Sequence, residues 1–257
     1  MPFPEDFMHR YRVSFLVLGL LVGWTARAAA QDDPKEIIKK AIAAHGGAEK
    51  LDKFKGSKNS SKGTISIMGL ELEFTSDTVS MYPAKQKSTI KMDVMGNAIT
   101  VVQLIVGDKM SVTLNGMAQE VPDAQKSELK QSIEMQRVMN LTPLLAEKGF
   151  EMKSLGDTKV NGKEVVGVSV SSKNLKETKM YFDKSTNLLT KVERMGADPT
   201  GGGGEVKQEM FLSDYKDVQG LKKPMKVTMM NDGKKFMDST VTKQEVLEKV
   251  DDKEFAD

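Results

Sequence analysis

The sequence has 257 residues, no cysteine and a formal net charge of +2, from 38 basic and 36 acidic residues. A balance this even gives no electrostatic pull toward nucleic acid, and a chain without cysteine is no small disulfide-stapled scaffold. It is long enough to bury one large core or two small ones.

Arg10 and Arg12 precede the apolar run "VSFLVLGLLVGWTA" (13–26), and small residues follow at Ala28 and Ala30. A basic flank, a short apolar centre and an Ala-x-Ala exit form the pattern of a secretory signal peptide. Cleavage is expected near Ala30, leaving residues 31–257 as a periplasmic or secreted product. The run falls short of the roughly 20 residues that span a membrane; an uncleaved anchor is the alternative. Glu5 and Asp6 are unusual in such a flank, and Met8 is a second candidate start. No cysteine follows the run, so lipid attachment at a processed N-terminal Cys is excluded. Beyond residue 30 the charge falls to +1 and no Trp is left, Trp24 being the only one. Lys and Asp/Glu are interspersed there, as on a solvated surface.

Residues 34–45, "PKEIIKKAIAAH", read as a helix. Pro34 suits the first turn, and Ile37, Ile38, Ala41 and Ile42 share one side. Gly46 and Gly47 follow, the usual way for a helix to stop. His45, the one histidine after residue 30, therefore marks a helix end, where a protonated ring would suit the negative end of the dipole. "AEKLDKFK" gives a second short turn with Leu51 and Phe54 inward.

From Ser57 the period changes to 2. Ile65, Ile67, Leu70, Leu72, Phe74, Val79 and Met81 alternate with polar residues; then Ile90, Met92 and Val94; then Met110, Val112 and Leu114. "AITVVQLIV" (98–106) is apolar on both faces and reads as a central strand. Turn signals sit at Gly96-Asn97, Gly107-Asp108 and Asn115-Gly116, so residues 57–121 form an antiparallel meander. Residues 123–149 break the pattern. Asp123 is the N-cap candidate, and Leu129, Ile133, Met135 and Met139 mark a helix to about Asn140. Pro143 then opens a short turn with Leu144. The period of 2 resumes through Val166, Val168, Val170, Met180, Phe182, Leu189 and Val192, with turns at Asn161-Gly162 and Asp232-Gly233 and a flexible loop over 196–204. The expected fold is mainly β (α+β): about eleven antiparallel strands with three or four helical pieces.

Catalytic parts are scarce. A Ser–His–Asp site would have to use His45, and no Gly-x-Ser-x-Gly turn accompanies it. No His/Cys cluster has metal-ligand spacing, and no phosphate-cradling loop occurs. Residues 201–204 are four glycines between strands, without a following helix. Glu71 and Glu73 alternate with apolar neighbours and face water. No enzyme, cofactor or metal is expected, although a carboxylate pair assembled from distant strands stays open. Methionine is the unusual residue: sixteen of eighteen lie after residue 30, many on the apolar side of strands. They read as ordinary core or as an adaptable apolar cavity; a thioether copper site lacks a Met-x-Met run.

The order of elements and three stretches carry a resemblance. "VNGKEVVGVSVSSKNLKETKMYFDKSTNLLTKVE", "FLSDYKDVQGLKKPMKVTM" and "AAHGGAEKLDKFK" resemble the LolA/LolB-like superfamily of outer-membrane lipoprotein-sorting proteins. The resemblance implies an incomplete antiparallel β-barrel whose concave face is plugged or covered by helices, the helix 123–140 acting as lid. It also implies a cavity for lipid or lipoprotein acyl chains, in a periplasmic carrier that meets envelope donor or acceptor proteins. Lining is expected from Ile65, Ile67, Leu72, Phe74, Met81, Met92, Met110, Leu114, Met135, Met139, Leu144, Val168, Met180, Phe182, Met210, Met225 and Met229. Carriers of that family fasten the lid with an arginine in the early strands; here only Arg137 and Arg194 follow residue 30, neither in an early strand. The alternative is a β-rich envelope interaction or sensor module with a filled core. Either would act as a monomer.

Overall fold

The computed structural model describes residues 32–67, 69–83, 85–198 and 204–256; the expected signal peptide lies outside them. Helices α1 (Pro34–Ala44) and α2 (Ala48–Lys53) lead into six strands: β1 (Gly56–Ile67), β2 (Leu70–Met81), β3 (Lys85–Val94), β4 (Asn97–Val106), β5 (Lys109–Leu114) and β6 (Met117–Gln119). Helices α3 (Asp123–Met139) and α4 (Thr142–Ala146) follow. The remaining strands are β7 (Glu151–Val160), β8 (Lys163–Ser172), β9 (Leu175–Asp183), β10 (Leu189–Ala197), β11 (Glu205–Val218), β12 (Leu221–Asn231) and β13 (Lys234–Leu247). A 3-10 turn, Asp252–Phe255, comes last.

The strands form one open antiparallel sheet of thirteen, in the order β6-β5-β4-β3-β2-β1-β13-β12-β11-β10-β9-β8-β7. That is more than the expected eleven, in part because the three-residue β6 has too little alternation to read. Each meander zips up by short turns, and β1 pairs with β13 to join them. The two edges are thus β6 and β7, and the chain between them carries α3 and α4 across one face, here called the inner face.

Register is set at the turns. Met95-Gly96, Asn115-Gly116, Asn161-Gly162, Gln219-Gly220 and Asp232-Gly233 all have paired positive φ, the backbone of two-residue hairpins whose twist matches the strands. The first lies one residue before the expected Gly96-Asn97, because Asn97 already pairs with Val94. Helix α1 begins as read: Pro34 opens it and the Asp33 carboxylate accepts from the Lys35 N–H at 3.0 Å. Helix α3 differs. Pro122 takes the cap position and Asp123 sits inside the first turn, where its charge still suits the positive end of the dipole.

The core lies between the helices and the inner face of β8–β11. Ile38 and Ala41 of α1, Val138 of α3 and Leu144 of α4 pack on Val168, Met180 and Val192. The outer face of the first meander has its own small cluster: Leu104 packs with Val250 and Phe255 of the C-terminal turn, beside Val79 and Met81. This explains the doubly apolar β4. It is not central in the sheet; it is third from the β6 edge, and the C-terminal turn covers its second face. On the outer face of β10–β11 the Lys191 ammonium lies 2.8 Å from Glu193 and 2.5 Å from Glu209, over the rings of Tyr181 and Phe211.

Candidate functional site

Strand pairing aligns the inner-face residues into rows. Val168, Met180, Val192, Met210, Met229, Met237, Ile65 and Leu72 are successive cross-strand partners from β8 to β2. The row is buried beneath α1 and α3 as far as Val192 and partly exposed from Met210 onward. Met180 belongs to the core, while Met210, Met229 and Met237 run on with Ile65 and Leu72 as a partly exposed apolar stripe. One row away Phe74, itself buried, pairs with Met92, and Met92 with Ile99.

Beside the stripe, a cavity of about 490 Å³ lies between the inner face of β1–β3 and helices α2, α3 and α4. Its volume falls within the usual range of small-molecule sites. Ile133 and Met139 of α3, with Ile105 and Leu212, give it an apolar side. The lining from β1, β2 and β3 includes the polar Ser57, Asn59, Thr78, Ser80 and Gln86. The Ser57 and Ser80 hydroxyls are hydrogen-bonded at 2.8 Å, and Thr78 and Ser88 at 2.9 Å.

Two arginines hold α3 over this space. Arg194 of β10 pairs with Glu128 near the helix start, and the other oxygen of Glu128 accepts from the Ala197 N–H at 3.2 Å. Arg137, near the helix end, donates to the Tyr82 hydroxyl at 3.2 Å and to Glu134 at 3.0 Å, and also pairs with Glu147. Between them Gln131 accepts from the Lys176 N–H and donates to the Asn174 carbonyl, each at 2.9 Å. Neither arginine lies in an early strand, yet Arg137 grips the residue that follows β2.

His45 caps α1: its N–H donates to the Ala41 carbonyl at 2.9 Å, and its Nδ1 donates to the same oxygen at 2.8 Å. Its ring meets Tyr215 edge-on at 5.8 Å. Desolvation by burial holds its pKa below 6.5 and nearby Lys223 lowers it further, against the pull of the Ala41 bond. The expected protonated cap is therefore a neutral one. Burial likewise raises the pKa of Tyr215, whose hydroxyl donates to the Leu189 carbonyl at 2.5 Å. The Lys223 ammonium, also on the lining, is pushed down by desolvation alone. Among the described residues no group of His, Asp and Glu is arranged to hold a metal ion, and no helix is long and apolar enough to cross a membrane.

The expected lining residues divide by place. Met81 and Met139 line the cavity, although Met81 also packs in the outer cluster with Leu104. Met135, Leu144, Val168, Met180 and Phe182 are packed core, with Met210 partly buried against them. Ile65, Ile67, Leu72, Phe74, Met92 and Met229 belong to the inner-face stripe, with Met110 and Leu114 further out on β5. Met225 is buried in β12. Sequence reading missed Met237, whose place in the row only the β12–β13 register reveals. It also missed the polar lining, because Ser, Thr and Asn alternating with Lys look like a solvated face.

Solved structures share this architecture over most of the chain. A LolA superfamily protein from Nitrosomonas europaea aligns with a TM-score of 0.54 at 10% identity, covering 88% of this chain and 98% of that one. A DUF1329 family protein from Desulfovibrio piger aligns with a TM-score of 0.54 at 13% identity, over 88% and 98%. A domain from Vibrio parahaemolyticus, described as an outer membrane lipoprotein-sorting protein, aligns with a TM-score of 0.51 at 13% identity, over 86% and 94%. The chain matches no protein-family model and no curated protein. At such identities the likeness establishes the fold, which is LolA-like.

Proposed function

We propose that this chain is an exported, non-enzymatic, monomeric carrier or binder of lipid or lipoprotein acyl chains, released from its signal peptide near Ala30 and exchanging its cargo with envelope donors or acceptors. One observation carries the reading: the methionine ladder leaves the core and continues as an open apolar stripe beside a cavity roofed by α3. Methionines suit varied aliphatic partners because their side chains are flexible and polarizable. Each buried methylene of an acyl chain contributes about 0.8 kcal/mol, so a long chain is held firmly yet reversibly. The LolA-like fold supports the same reading.

A second reading has its own support. The core beneath α1 and α3 is filled by side chains such as Met180 and Phe182, as in an interaction or sensor module without a ligand. The two readings separate in one experiment. Vesicles carrying a self-quenched fluorescent phospholipid are mixed with the protein, and dequenching reports extraction. The carrier reading expects extraction by the native chain and its loss in Met92→Glu, on the open stripe. A folded native protein that extracts nothing supports the filled-core module.

A further inference from the structure

We propose that the polar end of the cavity holds the anionic headgroup, carboxylate or phosphate, of a lipid-like amphiphile, with Lys223 as its counter-charge. The inference rests on the lipid-binding reading and names the chemistry of the ligand. Most other basic groups on the lining are paired; Lys55, which has no ion pair among the described residues, is exposed to solvent. Arg137 is held by Glu134 and Glu147, Lys85 pairs with Asp252 at 2.7 Å, and Lys222 with Asp217 at 3.5 Å. Asp52 accepts from the Thr142 hydroxyl at 2.7 Å, and His45 is neutral for the reasons given above.

Lys223 differs. Among the described residues its ammonium has no ion pair and no hydrogen bond, while desolvation acts on it without a carboxylate to offset the cost. A desolvated cation without a counter-ion is unfavourable, and an anion brought into the cavity removes that cost. Asn59 and Gln86 offer amide donors to the same space.

The sheet floor grades from this end toward the apolar stripe. Along β2 the inner positions run Ser80, Thr78, Ser76, Phe74 and Leu72. At ~3.3 Å per residue they span about 26 Å. Ser80 and Thr78 line the cavity, the Ser76 hydroxyl is hydrogen-bonded to that of Ser61 at 2.7 Å, and Phe74 and Leu72 pair with Met92 and Ile65. Such a track fits an extended chain with one charged end.

The test compares ligands that differ only in the head. Displacement of bound Nile red from the native protein is measured with palmitate against methyl palmitate, and with monopalmitoylglycerol phosphate against monopalmitoylglycerol. The charged member of at least one pair is expected to bind about tenfold more tightly, the worth of one charge-assisted hydrogen bond. The pair with the larger ratio tells carboxylate from phosphate. Lys223→Met is expected to lose the preference and Lys223→Arg to keep it. Equal binding of charged and neutral members in both pairs overturns the headgroup inference and leaves the lipid reading standing. No displacement by any of the four overturns both. A preference unchanged in a folded Lys223→Met protein removes Lys223 from the role.

Discussion

Arg194 and Glu128 join the sheet to the helix that roofs the cavity, and Arg194 does so from a position only 7% exposed. A buried cation whose single partner is removed keeps its desolvation cost without the attraction that offset it. Glu128→Ala is therefore expected to lower the unfolding free energy by about 3 kcal/mol, while the double change Arg194→Met with Glu128→Leu costs much less. Urea denaturation of the three proteins checks this.

Arg137 is more exposed than Arg194, so its pairs contribute less to stability: Arg137→Ala is expected to cost about 1 kcal/mol. Its larger effect is local. Without the bonds to Tyr82 and Glu147, amides in the last turns of α3 exchange with solvent faster, while those near Glu128 keep their protection. Site-resolved hydrogen exchange reads the difference.

The methionine ladder makes a paired prediction. Met180 is fully buried, so Met180→Ala leaves a cavity and is expected to cost about 3 kcal/mol. Met229, on the open part of the same row, is expected to cost under about 1 kcal/mol as Ala. Equal costs, measured by thermal or urea unfolding, contradict the division into core and stripe.

His45 gives the protein an acid-sensitive stability. Its folded pKa lies below 6.5, while the unfolded side chain takes its proton near ~6.5. Between those values the unfolded state binds more protons, so stability rises with pH across that window. It is complete above about 6.5 and is lost as the pH falls toward the folded value. His45→Gln is expected to flatten this part of the stability–pH profile.

Gly46 adopts φ +123°, and a Cβ there would lie 2.4 Å from the Gly220 carbonyl oxygen. Gly46→Ala is expected to cost about 2 kcal/mol through strain and displacement of the β11–β12 turn. The readout is the melting temperature.

Much of this fold could be read locally. Alternation around Ile65, Phe74 and Met92 located strands, and Asn115-Gly116 and Asn161-Gly162 located turns, because each signal is confined to a few neighbours. The start of α1 was equally plain from Pro34 and its isoleucines. What stayed hidden depends on distant residues meeting. The outer face of β4 is covered by Phe255, some hundred and fifty positions later, so two-sided apolarity imitated a central strand. The cavity joins Ser57, Arg137 and Lys223 from three separate elements, and nothing near any of them in the chain announces the others. Methionines of one chemical kind became core at Met180 and open surface at Met229 because the helices cover only one end of their row.

The most direct test of the account is mass spectrometry of an organic extract from the protein, purified from its native envelope without detergent. The account predicts one acyl-chain lipid per protein, bearing a carboxylate or phosphate head. A clean extract from folded protein, still empty after incubation with mixed envelope lipids, would contradict it.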